Sequence, residues 1–199
     1  MLKKLSSPKR IQDFLDALPI NFEEHADTCM SPRRVLREGK AHCLEGALLA
    51  ALALSLQGER PLLLDLTSVE GDDDHVVALF RSRGRWGAIS KTNHAVLRYR
   101  EPIYTTVREL ALSYFHEYFT NDGKKTLRSY SVPVDLRRFD RRGWTTEEED
   151  LWYIVDALDA ARHTTILSSG QARCLRRADA IEIEAGKMVE WKSKQITQR

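Results

Sequence analysis

Hydrophobic positions predict three helices in the first third of the chain. Ser-Pro pairs favour helix starts, and they stand at Ser7–Pro8 and Ser31–Pro32. Each pair precedes a short segment with apolar residues at helical spacing. A third helix is predicted from His42 or Cys43 to Gln57, and it is apolar on nearly every face. A helix without a polar face belongs in the centre of a fold.

After these helices the pattern changes to one typical of strands. Three strands are predicted within 62–69, 75–82 and 85–91. The last two are joined by Arg83–Gly84, a hairpin signal, so we expect them to be antiparallel neighbours. Helical spacing returns over residues 105–119.

The C-terminal part carries weaker signals. A short strand is predicted within 129–136, and Thr145–Thr146 with Glu148 and Glu149 form a capping-box pattern that predicts a helix start. We therefore predict one compact α+β domain, with a core over residues 1–125 and a C-terminal helical extension over 126–199 packed on it.

The composition is typical of a globular protein and argues against several classes of partner. The 199 residues are 42% hydrophobic and 30% charged, the balance of an ordinary globular chain. A net charge of +2 gives no electrostatic argument for a nucleic acid or an anionic membrane as partner, and the arginines of 137–142 have acidic neighbours. The longest apolar run has about ten residues, whereas a membrane span needs about 20. Three widely spaced cysteines favour a reducing compartment, so we expect a cytoplasmic protein.

Cys43 is the first candidate for chemistry. The first turn of a helix has unpaired N–H groups and the positive end of the helix dipole, which both stabilise a thiolate. A thiolate at this position would be a nucleophile. The alternative is that Cys43 serves as a small buried hydrophobic residue.

His75 is the second candidate, because it opens a strand that can face the start of the buried helix. There it could take the thiol proton and return it to a leaving group. The alternative is a surface histidine beside the acidic turn 72–74. We expect structural roles for two residues near Cys43. His42 is expected to be a solvent-exposed or packing residue, and Glu45 is expected to cap backbone N–H groups.

The order of Cys43, His75 and Trp86 resembles the transglutaminase-like superfamily. In that family a cysteine opens a buried helix, a histidine opens a strand, and a hairpin strand carries Trp with Asp four residues later. The resemblance covers about residues 31–92. It implies a papain-like core in which the buried helix packs on an antiparallel sheet, with Cys43 as nucleophile and His75 as acid and base.

The chain departs from the family where the aspartate should stand, since Ser90 lies four residues after Trp86. An aspartate orients the imidazole and stabilises its charged form. Ser90 can accept a hydrogen bond but brings no charge. Asn93, three residues later, is the alternative orienting residue, because amides serve in Cys-His-Asn sites.

The resemblance implies a cysteine hydrolase or acyltransferase that acts on an amide or acyl bond of a peptide, protein or small amide. The alternative is an inactive binding or scaffold protein, which the Ser90 replacement favours. No cofactor is predicted. Cys43, His42, His75 and His94 supply enough ligands for zinc, but they lack the paired spacing of a metal site, so none is predicted.

Overall fold

A computed structural model describes residues 2–193; Met1 and residues 194–199, the end of the predicted extension, lie outside the described residues. The α-helices are α1 (Pro8–Asp16), α2 (Pro32–Glu38), α3 (Cys43–Ser55), α4 (Val107–Ser113), α5 (Trp152–Asp159), α6 (Ser169–Arg173) and α7 (Ala180–Gly186). The strands are β1 (Leu62–Thr67), β2 (His75–Ser82), β3 (Arg85–Ile89), β4 (Arg100–Tyr104), β5 (Ser129–Ser131), β6 (Val134–Asp135) and β7 (His163–Thr165). Short 3-10 turns occupy 2–4, 115–117 and 136–142.

The strands form one antiparallel sheet in the order β4-β3-β2-β1-β5-β7, with β6 also pairing with β1. The predicted hairpin is confirmed, because β2 and β3 pair with Ala78 opposite Ile89. Helices and an antiparallel sheet in one unit make this an α+β fold, as the sequence predicts.

The helix α3 lies at the centre of the core. Side chains such as Leu48, Leu49 and Leu54 are fully buried, in one cluster with residues of α1, α2 and one face of the sheet. The other face of the sheet packs against α4 through a second cluster that includes Leu64 and Leu110. Burial on both faces explains why β1 reads as a nearly continuous hydrophobic run.

The segment after residue 125 continues the same sheet: the strand predicted within 129–136 is present as β5 and β6, and β7 is a further strand that the sequence analysis did not predict. Strands β5 and β6 pair with β1, and β7 pairs with β5. Ile154 and Leu158 of α5 join the core cluster that surrounds α3. The residues described in this segment therefore contribute both to the sheet and to the core cluster around α3.

The helix predicted from Thr145 begins only at Trp152, because the residues before it make long-range contacts instead of a first turn. The Thr145 carbonyl accepts from the backbone N–H of Arg33, and Asp150 accepts from the N–H of Cys29. The predicted helix over 105–119 is also shorter, since only Val107–Ser113 is α-helical.

None of the helices within residues 2–193 has the length and apolar character needed to cross a membrane.

Replacing Leu49 with alanine should lower the free energy of unfolding by roughly 2–5 kcal/mol, through lost burial and the cavity left behind. The matched control is Leu56→Ala at the end of α3, where the side chain is 45% exposed and the expected loss is far smaller. Urea unfolding measures both. Similar midpoints for the two variants would contradict the central position of α3.

Candidate active site

Cys43 and His75 line one cleft of about 520 Å³. Cys43 is the first residue of α3 and His75 is the first residue of β2. The remaining walls are the acidic turn 71–74, the segments 91–97 and 117–121, and Ile183 with Gly186 of α7. The thiol therefore lies at a helix N-terminus and beside an imidazole, as a nucleophile requires.

His75 is anchored through one ring nitrogen. Its Nε2 lies 2.7 Å from Ser90 Oγ, and Ser90 Oγ donates to the Leu97 carbonyl at 2.5 Å. A carbonyl can only accept, so the single hydroxyl proton of Ser90 is committed to Leu97. Ser90 must then accept the bond from His75 Nε2–H, which leaves Nδ1 of the neutral ring as the unprotonated nitrogen.

Ser90 is itself held on two sides. Its backbone N–H donates to Gln12 Oε1 at 2.9 Å, and its carbonyl accepts from Gln12 Nε2 at 2.8 Å. Leu97 adopts a left-handed conformation with φ 61°, and its N–H donates to Glu117 Oε2 at 2.8 Å. The orientation of His75 thus depends on α1 through Gln12 and on the turn around Leu97.

The alternative orienting residue, Asn93, does not bond to His75. Its side chain pairs with the backbone of Trp191, donating to the carbonyl at 3.0 Å and accepting from the N–H at 2.9 Å. Asn93 lines the same cleft but holds the C-terminal segment. In the structure Ser90 contacts the imidazole, and the Asn93 side chain anchors the Trp191 backbone instead.

Lys91 connects the site to two helices. Its side chain is fully buried, and its Nζ donates to the Leu15 carbonyl at 2.8 Å near the end of α1, where the helix dipole favours a cation. Its stem packs on Gly46 in the first turn of α3. Burial lowers the pKa of Lys91.

The sequence analysis did not predict the position of His42 at the N-cap of α3. The His42 side chain is only 18% exposed, and its Nε2 lies 2.9 Å from the Thr28 carbonyl oxygen. Glu45 accepts from the His42 N–H at 3.0 Å, which confirms the predicted capping role. The positions of His42 and Glu45 on either side of Cys43 in the sequence could have indicated that His42 belongs to the cap of α3.

The Cys43 thiol is more acidic than an ordinary cysteine thiol. Burial disfavours the thiolate of Cys43, but hydrogen bonds from His42 and His75 outweigh that effect and lower its pKa to about 5. The nearby Cys29 thiol behaves in the opposite way, because burial raises its pKa to about 12. Burial and hydrogen bonding thus move the pKa values of these two thiols in opposite directions.

Within the described part of the chain, no group of three His, Cys, Asp or Glu side chains is arranged to hold a metal ion. The sequence matches no protein-family model and no curated protein.

Iodoacetamide at about pH 6.5 should alkylate Cys43 much faster than Cys29 or Cys174. An ordinary thiol with a pKa of about 8.5 is only about 1% thiolate at this pH, whereas the Cys43 thiol is mostly ionised. Peptide mass spectrometry after brief labelling measures the three rates. The exposed Cys174 is the internal reference, and equal labelling of Cys43 and Cys174 would contradict an activated thiol.

Gly46→Ala should destabilise the protein, although alanine favours a helix over glycine by ~1 kcal/mol. The added Cβ would lie 2.4 Å from Lys91 Cβ, and moving Lys91 also moves Ser90. We expect a loss of about 1–3 kcal/mol in urea unfolding. The control is Gly170→Ala in α6, where a Cβ meets only Ser168 Oγ at 3.8 Å. An unchanged midpoint for Gly46→Ala would show that this contact is not tight.

Proposed function

We propose that the protein is a transglutaminase-like cysteine hydrolase or acyltransferase acting on an amide or related acyl bond. The supporting observation is that His75, anchored to Ser90 through Nε2, lines the same open cleft as Cys43, whose pKa is lowered to about 5. The buried α3 packed on an antiparallel sheet agrees with the papain-like core that the resemblance implies.

The acylation step follows from the anchored ring of His75. Nδ1 takes the thiol proton, and the Cys43 thiolate attacks the substrate carbonyl carbon to form a C–S bond. The same proton then passes from Nδ1 to the leaving nitrogen as the C–N bond breaks. The product of this step is a thioester on Cys43 and a free amine.

The second step releases the acyl group. Water or an amine gives a proton to Nδ1 of His75 and attacks the thioester carbonyl, and the C–S bond breaks to restore the thiolate. Water yields hydrolysis, and an amine yields transfer. The N–H of Cys43, in the first turn of α3 where no intrahelical acceptor exists, supports an oxyanion hole for both steps.

The cleft supports a peptide, a protein side chain or a small amide as substrate. It is open, with polar side chains of the acidic turn on one side and Tyr118 and Phe119 on another. Mixed polar and aromatic walls suit an amide with an apolar attachment.

An inactive binding or scaffold protein is the second candidate. The observation that favours it is the partner of His75, a neutral hydroxyl where a working relative of the family has a carboxylate. A neutral partner gives less support to an imidazolium. Turnover separates the two candidates directly.

The experiment uses a panel of fluorogenic peptidyl amides and p-nitrophenyl esters, with and without methylamine as acceptor. Cys43→Ala should abolish turnover, His75→Asn should reduce it by about 10²–10⁴-fold, and Ser90→Ala by up to about 100-fold through a misplaced ring. Cys174→Ala is the matched control and should keep wild-type turnover. Turnover that survives Cys43→Ala, or its absence in the wild type, would contradict the proposal.

A further inference from the structure

Residues 177–191 form a strap along one side of the cleft, and α7 is part of it. Two residues of the strap, Ile183 and Gly186, line the cleft together with Cys43 and His75. The acyl transfer proposed above assigns no step to this segment. Its position beside the thiol therefore calls for a separate role.

The strap is attached first to the cleft wall 117–121 and to the turn that follows it. The Ala178 N–H donates to the Gly123 carbonyl at 2.9 Å. Gly186 lies so close to Phe119 that a Cβ added to the glycine would be 3.0 Å from the ring. This side of the strap is thus held by a backbone hydrogen bond and a close contact with an aromatic ring.

The strap is attached second to the opposite cleft segment, 91–97. The Asn93 side chain pairs with the Trp191 backbone, donating to its carbonyl at 3.0 Å and accepting from its N–H at 2.9 Å. His94 Nδ1 lies 2.8 Å from the Gly186 carbonyl oxygen, which can only accept, so the ring nitrogen donates. The strap therefore joins two separate walls of the cleft.

The attachments of the strap are mainly polar. Of residues 177–191, all of which the structure describes, only Ala178 is buried. The side chains of Ile181 and Met188 are 78% and 65% exposed, so they do not anchor the strap in the core. Segments with few buried apolar contacts and exposed hydrogen bonds open at a lower free energy than the core does. The strap is such a segment, whereas α3 is enclosed on every side.

Resting on the proposed function, we propose that the strap is a gate that sets the size of the substrate that reaches Cys43, and that Asn93 holds it closed. The strap joins the walls 91–97 and 117–121, so an extended chain cannot pass between them on this side while the strap is in place. Small amides and esters enter the closed cleft, and a polypeptide reaches the thiol when the strap opens. Asn93 then determines specificity without contacting the reacting atoms.

The side chain of Asn93 is suited to this role because an amide both donates and accepts. Its two hydrogen bonds go to the backbone of one residue, Trp191, so both break together when the strap separates. Alanine at position 93 loses both bonds. The population of the open strap should then increase about 5–100-fold, as expected for the loss of two hydrogen bonds.

The test compares two thiol reagents that share one reacting group, N-ethylmaleimide and a maleimide carried on a long polyethylene glycol chain. Mass spectrometry of the unmodified peptides gives the rate constant at each cysteine. In the wild type, the ratio of the bulky to the small reagent's rate constant should be far lower at Cys43 than at the exposed Cys174. In Asn93→Ala the ratio at Cys43 should rise about 5–100-fold, toward the value at Cys174.

The third cysteine separates opening of the strap from unfolding of the protein. Cys29 is fully buried in the core, so it stays unmodified when only the strap opens. The control variant is Met188→Ala, which changes an exposed side chain of the strap and leaves its attachments in place. Its ratio at Cys43 should match the wild type.

His94→Ala provides a second variant, because it removes the attachment at Gly186 and leaves Asn93 unchanged. The ratio at Cys43 should rise in this variant too. A wild-type ratio in both Asn93→Ala and His94→Ala would overturn the proposal. Modification of Cys29 in step with Cys43 in both variants would also overturn it, since the thiol would then be reached through global unfolding.

Failure of this inference is distinguishable from failure of the proposed function, because thiol labelling requires no turnover. An unchanged ratio in a protein that turns over amides or esters would remove only the gate. A raised ratio in a protein that turns over neither would overturn the enzyme function and leave the strap as the cover of a binding cleft.

Discussion

The burial of α3 on every side is the constraint on which the rest of the structure depends. A helix without a polar face must be enclosed, and here α1, α2, α5 and the sheet contribute to the enclosing cluster. Enclosure fixes the axis of α3 against β2, and the first turn of the helix then lies where β2 begins. Cys43 and His75 are neighbours because of this packing. The position of the candidate site is therefore a consequence of how the core packs around α3.

Local sequence patterns were sufficient to predict the helices and turns whose formation depends on neighbouring residues. The Ser-Pro helix starts, the apolar α3 and the Arg83–Gly84 hairpin all follow from spacing and turn chemistry, and the structure has them where the sequence predicts them. The start of α5 was predicted wrongly, because the Asp150 carboxylate bonds to Cys29 instead of capping a helix. Such contacts join residues far apart in sequence, and no local pattern contains them.

The residues of the candidate site likewise fall into those that local sequence patterns indicate and those that depend on long-range contacts. Cys43 and His75 were identified from their positions at the start of a helix and a strand, which are local features. Ser90 and Asn93 could not be separated, because the choice depends on the Leu97 turn and on Trp191, both reached through long-range bonds. His42 was given a structural interpretation because the acceptors around Nε2 come from a loop at Thr28 that only the folded chain brings near.

The part of the chain that contains α7 and Trp191 is synthesised late. Ile183 and Gly186 leave the ribosome long after Cys43, yet they complete the cleft, and the Trp191 backbone that holds Asn93 follows them. The residues of α1, α2, α5 and most of the sheet, which surround α3, are all synthesised before this part of the chain. During synthesis the Cys43 thiol therefore passes through a period in which its cleft still lacks the side that α7 provides.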